Sequence, residues 1–462
     1  MDYCSTRTFG FLSHLLRGSR RRASCAVLLI CVVITGGCDN TGSDAGAPLP
    51  PPPPEVASWS DPVEIAALAD IVGVGLDDQH RGMVVWLERT SGDHGLYWRT
   101  FDPARGWGPP QLLELVPDSD GVPRFSMDER GGALLVWVNG GIRARRYDPA
   151  TGWAESENLD PDLSGSSGSV AFHRSGRAIV SWSTPSAVQA RRHDPDSGWG
   201  AVETVRPHED PFYGGRVTAI SRTGAALALF SAFSSSDYST GIVSRFGNPG
   251  QPWGPDRPFD GLSRTESYRT SRDFVDATGT ATLLRVVDRY VYVFHAHDDS
   301  DWVTDDVSYG SLSSVYATND LVVADDGSAA LMRAEETGII QVRQYTPGSG
   351  WREPLQLGVF TAQGEVQRTW MSGGVRGDVV IVWSAELQSR AAPVRMESAR
   401  YRPGAEWEFP PAIPPGRADA IVDSLQHTVS GDGAALAAWI EYAGEPFGSE
   451  STIRASFLPA GP

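Results

Sequence analysis

A pattern of about fifty residues recurs along most of this 462-residue chain. Each copy begins with a segment in which apolar and polar residues alternate, followed by a turn that contains Gly. A run of small and β-branched residues that ends in Trp comes next, and then a second turn. The copy closes with a strand that ends in an aromatic residue, Asp and Pro, and with the pair Gly-Trp. The copy from Arg124 to Trp153 shows every part. Units of this size cannot bury both of their faces alone, so the repeat predicts units stacked side by side.

The tryptophans mark the copies. The Trp that closes each copy recurs at spacings of 46 to 56 residues, at Trp59, Trp107, Trp153, Trp199, Trp253, Trp302, Trp351 and Trp407. A position inside each copy is assigned to Trp86, Trp137, Trp182, Phe230, Leu284, Leu331, Trp383 and Trp439. The two positions hold 13 of the 15 tryptophans, which indicates eight repeats.

The repeats are predicted to consist of strands. Residues 142–147 alternate between apolar and polar side chains, a period that places them on opposite faces of a sheet. The segment Asp148-Pro-Ala-Thr-Gly152 suits a tight hairpin, because Asp accepts backbone N–H bonds, Pro presets φ and Gly tolerates positive φ. With 50 Gly, 33 Pro and no long helical periodicity, the chain is predicted to be all-β.

Small twisted four-stranded sheets that stack radially form a β-propeller. The expected fold is therefore an eight-bladed β-propeller of antiparallel blades, with seven blades as the alternative. The last repeat stops near Phe457 without a Gly-Trp strand, whereas the domain starts with an unpaired one, residues 59–65. This first strand is predicted to complete the last blade and close the ring.

The N-terminal segment has the order of a secretory signal. Arg17 and Arg20 to Arg22 precede the apolar run 26–34, which is too short to span a bilayer. The run ends in Thr35-Gly-Gly-Cys38, which resembles the lipobox of bacterial lipoproteins, with Thr35 where an aliphatic residue is usual. The resemblance implies cleavage before Cys38 and acylation of its thiol. An ordinary cleavable signal or a membrane helix is the alternative.

Three regions follow from this reading: a signal peptide at 1–37, the lipidated Cys38 with a Pro-rich linker at 38–58, and the propeller at 59–462. The run Pro50 to Pro54 favours extended polyproline II and makes the linker a spacer. The expected location is the cell envelope, with the exported chain anchored to a membrane by lipid.

Composition excludes several functions. All four cysteines lie at or before Cys38, so disulfides cannot hold the propeller. The chain has no lysine, which excludes Schiff-base chemistry. The formal charge is −18, and residues 1–37 hold five Arg and one Asp, so the remainder carries about −22. Such a body repels phosphate backbones, and no nucleic-acid partner is expected. We expect a monomer without cofactor.

Motif searches yield turns rather than an active site. Asp148 to Trp153 resembles the docking-tryptophan motif of quinoprotein propellers, although Trp here directly follows Gly. Residues 430–435 and 325–330 resemble the Asp-box hairpins of sialidase-like propellers, which are structural. The acidic turns 194–198 and 298–301 lack the spacing of a calcium loop. His295 and His297 share one strand face as a zinc pair could, but no third ligand lies nearby in the sequence, so no metal is expected.

Any site is predicted on the face that carries the irregular loops, together with the adjacent channel, because function on repeat scaffolds sits where loops vary. Candidate binding residues there are Tyr213, Arg216, Tyr268, Arg269, Arg272, Arg368, Trp370 and His427. Trp370 stands outside both tryptophan positions of the repeat, so it could stack on a sugar or peptide.

The favoured function is non-enzymatic: a binding or scaffold propeller that presents this loop face to a protein or glycan. The alternative is a sialidase-like glycoside hydrolase or a polysaccharide lyase, which requires paired carboxylates or a nucleophile beside the channel. No catalytic residue can be assigned from the sequence.

Overall fold

The structure, a computed structural model, describes a defined set of residues: 56–89, 94–116, 123–160, 168–208, 212–233, 240–259, 271–287, 290–298, 300–307, 318–335, 338–359, 364–387, 395–414, 416–417, 420–443 and 451–461. The signal segment, Cys38 and most of the linker lie outside this set. Residues 54–462 form one compact unit. No helix in the described part of the chain is long and apolar enough to cross a membrane.

The described residues form 35 strands in eight antiparallel sheets, which are the blades of the propeller. After β1 (Val63–Ala67), blade 1 has β2 (Ala69–Leu76), β3 (Gly82–Glu88), β4 (His94–Asp102), β5 (Gly106–Trp107) and β6 (Gln111–Val116). Blade 2 has β7 (Arg124–Met127), β8 (Ala133–Val138), β9 (Ile142–Asp148), β10 (Gly152–Trp153) and β11 (Glu157–Asn158). Blade 3 has β12 (Gly168–Phe172), β13 (Ala178–Ser183), β14 (Ala187–Asp194), β15 (Gly198–Trp199) and β16 (Glu203–Pro207).

The next two blades have four strands each. Blade 4 has β17 (Phe212–Ile220), β18 (Ala226–Phe233), β19 (Thr240–Gly247) and β20 (Arg257–Phe259). Blade 5 has β21 (Ser271–Val275), β22 (Ala281–Val287), β23 (Tyr290–Ala296) and β24 (Val303–Asp306).

The last three blades complete the ring. Blade 6 has β25 (Thr318–Val323), β26 (Ala329–Ala334), β27 (Ile339–Thr346), β28 (Gly350–Trp351) and β29 (Leu355–Val359). Blade 7 has β30 (Gly364–Gly373), β31 (Val379–Leu387) and β32 (Arg395–Tyr401), and its outer strand is reduced to two bridges, Met396–Ile413 and Arg400–Glu408. Blade 8 has β33 (Ala420–Val429), β34 (Ala435–Ala443) and β35 (Ser451–Leu458).

The N-terminal strand closes the ring. β1 pairs antiparallel with β35 and so supplies the outer strand of blade 8. Ahead of it, Ser60 N donates to Phe457 O at 2.8 Å, and the buried indole of Trp59 donates from Nε1 to Ser398 Oγ of blade 7 at 2.9 Å. The prediction of eight blades closed by the first strand is confirmed, and the seven-blade alternative is wrong.

The turns between the first two strands of each blade follow one design. In blade 2, Asp128 Oδ1 accepts from the backbone N–H groups of Arg130 and Gly132, both at 2.8 Å. Gly131 has φ of +94°, a conformation in which a side chain is strained. Blade 1 places His80 at this point with φ of +62°, and its ring pairs with Asp432 of blade 8 at 2.9 Å.

The core lies between neighbouring blades, and the fifth residue of the second strand is buried in all eight. Trp137, for example, packs against Val85 and Leu96 of blade 1. The assignment of Leu284 and Leu331 to this position was wrong, because the strand register places Arg285 and Arg333 there. The eight residues are Trp86, Trp137, Trp182, Phe230, Arg285, Arg333, Trp383 and Trp439.

Indole N–H groups of the closing tryptophans tie blades together. Trp253 Nε1 of blade 4 donates to Glu203 Oε2 of blade 3 at 2.9 Å. Trp302 Nε1 likewise reaches Ser244 Oγ, and Trp351 Nε1 reaches Asp305 Oδ2, both at 3.0 Å. Trp59 makes the same kind of bond from blade 8 to blade 7, whereas the buried Nε1 of Trp153 has no partner among the described residues.

Five blades share a second connection to the preceding blade, here called the arginine clasp. Arg145 Nε donates to Ala154 O of its own blade at 2.7 Å, while Nη1 donates to Leu113 O of blade 1 at 2.7 Å. Equivalent arginines bond the preceding blade through Nη1 at Arg99, Arg191, Arg245 and Arg343. One guanidinium serves two carbonyls in fixed directions, which an ammonium cannot do.

Replacing the clasp arginine of blade 2 with lysine should destabilise the protein. In Arg145→Lys we expect the free energy of unfolding to fall by about 1–3 kcal/mol, because at least one hydrogen bond from the charged guanidinium to a backbone carbonyl is lost. Urea unfolding followed by tryptophan fluorescence measures the change. Arg105→Lys, in the exposed hairpin of blade 1, is the control and should shift stability by less than about 0.5 kcal/mol. Equal effects of the two substitutions would contradict the clasp.

Candidate functional site

The central channel is lined by the first strands of the blades: β2, β7, β12, β17, β21, β25, β30 and β33. Turns from the first to the second strand, and the Asp-Pro hairpins, lie at one end of the channel, which we call the turn end. Connections from the second to the third strand, and the crossings between blades, lie at the other end, which we call the loop end. Most residues of the loop end fall outside the described ranges.

Charged side chains cross the channel axis at the turn end. Arg222 of blade 4 donates from Nη1 and Nη2 to the two carboxylate oxygens of Glu129 in blade 2, both at 2.8 Å. Its Nε donates to Asp325 of blade 6, which is diametrically opposite blade 2 in a ring of eight. His173 Nε2 of blade 3 lies 2.8 Å from Asp325 Oδ1. These bonds brace opposite sides of the ring.

The ionisation of this cluster matches its bonding. The hydrogen bond from Arg222 lowers the pKa of Glu129 and raises that of the guanidinium itself. Burial alone would raise the pKa of Asp325, but hydrogen bonds from His173 and Arg222 outweigh it and lower the pKa. Both carboxylates are therefore held ionised, and the cluster is a stable ion-pair network.

Arg174 adds a second brace. Its Nη2 donates to Leu76 O of blade 1 at 2.8 Å and its Nη1 to Thr428 Oγ1 of blade 8 at 2.9 Å. Burial lowers the pKa of this arginine, and Asp78 and Glu129 counteract the shift. A guanidinium reaching from blade 3 to blade 8 passes through the channel, so the turn end is filled by side chains.

Backbone bonds run round the same end. Asp78 N donates to Glu129 O at 3.0 Å, and Glu129 N donates to Arg174 O at 2.8 Å, each to the next blade. Asp325 N likewise donates to Val375 O at 3.0 Å, and Gly431 N of blade 8 reaches Asp78 Oδ1 of blade 1 at 3.0 Å. The turn end is thus closed by backbone bonds as well as by side chains.

One level of the channel wall is rich in polar residues. Strand register places one residue of each first strand opposite the fourth residue of the second strand. These eight residues, the channel row, are Gly73, Arg124, Ser169, Arg216, Arg272, Asp320, Trp370 and Gln426. Three of the predicted candidates, Arg216, Arg272 and Trp370, are in this row. The sequence predicted that these three residues lie on the loop-bearing face or in the channel. It did not show that they lie at the same height along the channel.

The other predicted candidates are distributed as follows. Tyr268 and Arg269 lie outside the described residues, and so does the side chain of Tyr213, whose backbone is in β17. Arg368 is exposed on β30. Trp370 packs into the core between blades 7 and 8, in the cluster that contains Val380 and Val382.

The candidates Arg272 and His427 are linked by electrostatics, because the charges of Arg272 and its partner Asp320 both affect the pKa of His427. Arg272 holds Asp320 of blade 6 by two bonds, Nε to Oδ1 at 2.7 Å and Nη2 to Oδ2 at 3.1 Å. Burial lowers the pKa of His427 to about 4; the hydrogen bond to Val380 O and the charge of Asp320 oppose this shift, whereas the charge of Arg272 adds to it. The neutral imidazole then donates from Nε2 to Val380 O at 3.0 Å. His427 is therefore uncharged at pH 7 and is not a general acid there.

A cavity of about 550 Å³ opens beside the channel row at blades 3 to 5. Arg216 lines it, is exposed, and has no hydrogen-bond or ion-pair partner among the described residues. The cavity is also lined by Asp273 and Arg285 and by hydroxyl groups of Ser169, Ser181, Ser183, Thr218 and Ser231. Cavities of this size fit small ligands.

The pair Asp273 and Arg285 is what sequence reasoning missed. Arg285 Nη1 donates to Asp273 Oδ1 at 2.7 Å, and their side chains are only 5% and 10% exposed. Arg285 stands where six of the eight blades bury Trp or Phe, and Arg333 of blade 6 does the same, paired with Glu335 at 2.6 Å. The signal was available: the position lies six residues after the turn glycine, as Trp137 follows Gly131 and Arg285 follows Gly279.

Comparisons with known proteins find only distant structural similarity. No family model matches the chain, and no curated protein matches it in sequence. Among solved structures, the BP39L lectin from Burkholderia pseudomallei is similar with a TM-score of 0.43 and 10% identity, over 75% of this chain and 100% of the lectin. The polysaccharide lyase Uly1 is similar with a TM-score of 0.41 and 10% identity, over 87% of this chain and 100% of the lyase. The β-propeller domain of the Trilobed protease from Pyrococcus furiosus is similar with a TM-score of 0.42 and 10% identity, over 77% of this chain and 96% of that domain. Likeness at this level says nothing about ligand or chemistry.

The buried pair in blade 5 can be tested by removing one partner and then both. Asp273→Ala should lower the free energy of unfolding by about 3–5 kcal/mol, because it leaves the Arg285 charge buried without its carboxylate. The double change Asp273→Ala with Arg285→Leu should recover most of this loss. Urea unfolding at neutral pH measures both variants. A double variant as unstable as the single one would show that the buried charge is not the cause.

Proposed function

We propose that this protein is a non-catalytic binding propeller of the bacterial cell envelope, anchored by lipid at Cys38, that presents its loop end and the channel behind it to a ligand. The observation that carries this proposal is the contrast between the two ends of the channel. The turn end is filled by Glu129, Arg222 and Asp325, whereas the wall nearer the loop end departs from the repeat and carries a cavity lined by charged residues.

The buried residues that depart from the repeat are informative, because each replaces an aromatic side chain that would stabilise the fold more. A buried ion pair such as Asp273 with Arg285 adds little stability compared with the aromatic residue that the repeat uses elsewhere. In a sequence whose repeats otherwise agree, such local exceptions are expected at functional sites. They lie in blades 5 and 6, on the second strands, directly behind the strands that line the channel.

The arrangement supports binding rather than hydrolysis. The carboxylates described on this part of the wall, those of Asp273 and Asp320, each accept hydrogen bonds from an arginine. A hydrolase of the paired-carboxylate type needs one carboxyl that gives up a proton and one that is free to attack or to activate water. Arginine-bonded carboxylates serve instead to hold guanidinium groups in place.

The anchor is supported by the sequence before the ring. Cys38 follows an apolar run and two small residues, and a Pro-rich spacer separates it from the first described residue, Val56. A spacer of this kind would hold the propeller clear of the membrane surface.

The anchor is tested by replacing single cysteines in the full chain, expressed in a bacterial host with a labelled fatty acid. Cys38→Ser should abolish the label and move the protein from the membrane fraction to the soluble fraction, because the acylated thiol is lost. Cys31→Ser, inside the predicted signal, is the control and should keep both. Retention of the label in Cys38→Ser would exclude the anchor.

The binding face is tested with single cysteines, since the chain without residues 1–38 contains none. Ser186→Cys lies on a second-to-third-strand connection at the loop end, and Ala150→Cys lies on a hairpin at the turn end; both positions are exposed. Each variant is coupled to a polyethylene glycol maleimide and screened on an array of glycans and envelope peptides, for binding and for turnover. Coupling at residue 186 should block binding, and coupling at residue 150 should not. Binding blocked only from residue 150, or turnover of an array ligand, would overturn the proposal.

A further inference from the structure

We propose that the cavity at blades 3 to 5 binds an anionic saccharide unit, with Arg216 as the residue that holds its carboxylate or sulfate group. This inference rests on the proposed function and narrows its ligand class. It starts from Arg216, which has no partner among the described residues, and from the hydroxyl groups around its side chain.

Arg216 is unusual among the arginines of this protein. The chain has a formal charge of −18, so acidic partners are plentiful, and arginines nearby are all engaged. Arg272 holds Asp320, Arg285 holds Asp273, and Arg206 holds Asp256 through Nη2 at 2.6 Å. Of the described arginines of blades 4 and 5, Arg216 is the one whose exposed side chain has no hydrogen-bond or ion-pair partner among the described residues. A guanidinium in a fixed direction recognises planar anions by two parallel hydrogen bonds.

The position of Arg216 is fixed by its strand. It lies on β17 opposite Leu229, and its neighbour Gly215 packs directly over Phe230, where a Cβ would come within 2.0 Å of the ring. Two serines of blade 3 bond the backbone of the next residue: Val217 N donates to Ser181 Oγ at 3.0 Å, and Ser169 Oγ donates to Val217 O at 3.3 Å. The backbone that carries the guanidinium is therefore held by blade 3.

The pair Asp273 and Arg285 supplies the opposite wall. Because Arg285 replaces the aromatic side chain of the repeat, a polar surface faces the cavity where other blades would place an indole. Arg285 also donates from Nη1 to Leu284 O at 2.8 Å, so its orientation is fixed from two sides. The lining then carries two guanidinium groups against one carboxylate, a local excess of positive charge in an acidic protein.

The remaining lining indicates the class of ligand. Five hydroxyl groups, those of Ser169, Ser181, Ser183, Thr218 and Ser231, border the same space. Thr218 Oγ1 is buried and has no hydrogen-bond partner among the described residues. Hydroxyl groups both donate and accept, which suits a polyhydroxylated ring, while Leu229 and Ile242 offer it an apolar patch. An anionic group beside several hydroxyls is the chemistry of an acidic sugar.

The test compares oligogalacturonate with its fully methyl-esterified form, which has the same size and no charge, using the full chain in detergent and isothermal titration calorimetry. Oligogalacturonate should bind, and esterification should weaken binding about tenfold or more, because a charge-assisted bond pair is lost. Arg216→Gln should weaken oligogalacturonate binding by a similar factor, and Arg216→Lys should lie between. Dextran sulfate, run in parallel, shows whether sulfate replaces carboxylate.

Arg124→Gln is the matched control, since Arg124 occupies the channel row in blade 2, is exposed, and has no partner among the described residues. It removes the same charge outside the cavity and should change binding by less than about twofold. Equal losses in Arg124→Gln and Arg216→Gln, or equal binding of the ester, would overturn the proposal. An Arg216-dependent response to acidic peptides but not to acidic sugars would overturn the saccharide class. If only neutral ligands bind on the array, this inference fails and the proposed function stands; if nothing binds, both fail.

Discussion

The structure depends on the inability of a small twisted sheet to bury its own two faces. Each blade presents Trp, Leu and Val on both sides, so it is stable only between two neighbours. A ring gives every blade two neighbours, but only if the last blade is complete. β1, with Trp59 ahead of it, supplies the missing outer strand to β35 and so covers the strand edge that β35 would otherwise expose.

Arginine performs three different tasks in this lysine-free chain. At the outer strands, residues such as Arg145 clasp two carbonyl groups of adjacent blades. At the turn end, Arg222 and Arg174 span the channel and close it. Near the loop end, Arg285 is buried beside Asp273, while Arg216 has no partner within the described ranges. The first two tasks stabilise the ring, and the third makes a polar cavity that the repeat alone would not contain.

The fold was predictable because its signal is repeated eight times. The Gly-Trp strands and Asp-Pro hairpins each carry little information, but their spacing fixed blade number and closure. The error at Leu284 and Leu331 has a physical origin: we expected an apolar residue at a buried position, and these leucines were the nearest. Burial of Arg285 and Arg333 is possible only because Asp273 and Glu335 neutralise them, and those partnerships are not visible in a single sequence.

The sequence by itself determined the all-β class, eight blades and the closing strand, because these follow from local strand and turn preferences repeated in register. Only the tertiary structure decided which end of the channel is closed, since Glu129, Arg222 and Asp325 come from blades far apart in sequence. It also decided that Arg272 is paired with Asp320, whereas the part of the chain that the structure describes offers Arg216 no partner. Ion pairing depends on distances across the ring, and local sequence carries no information about them.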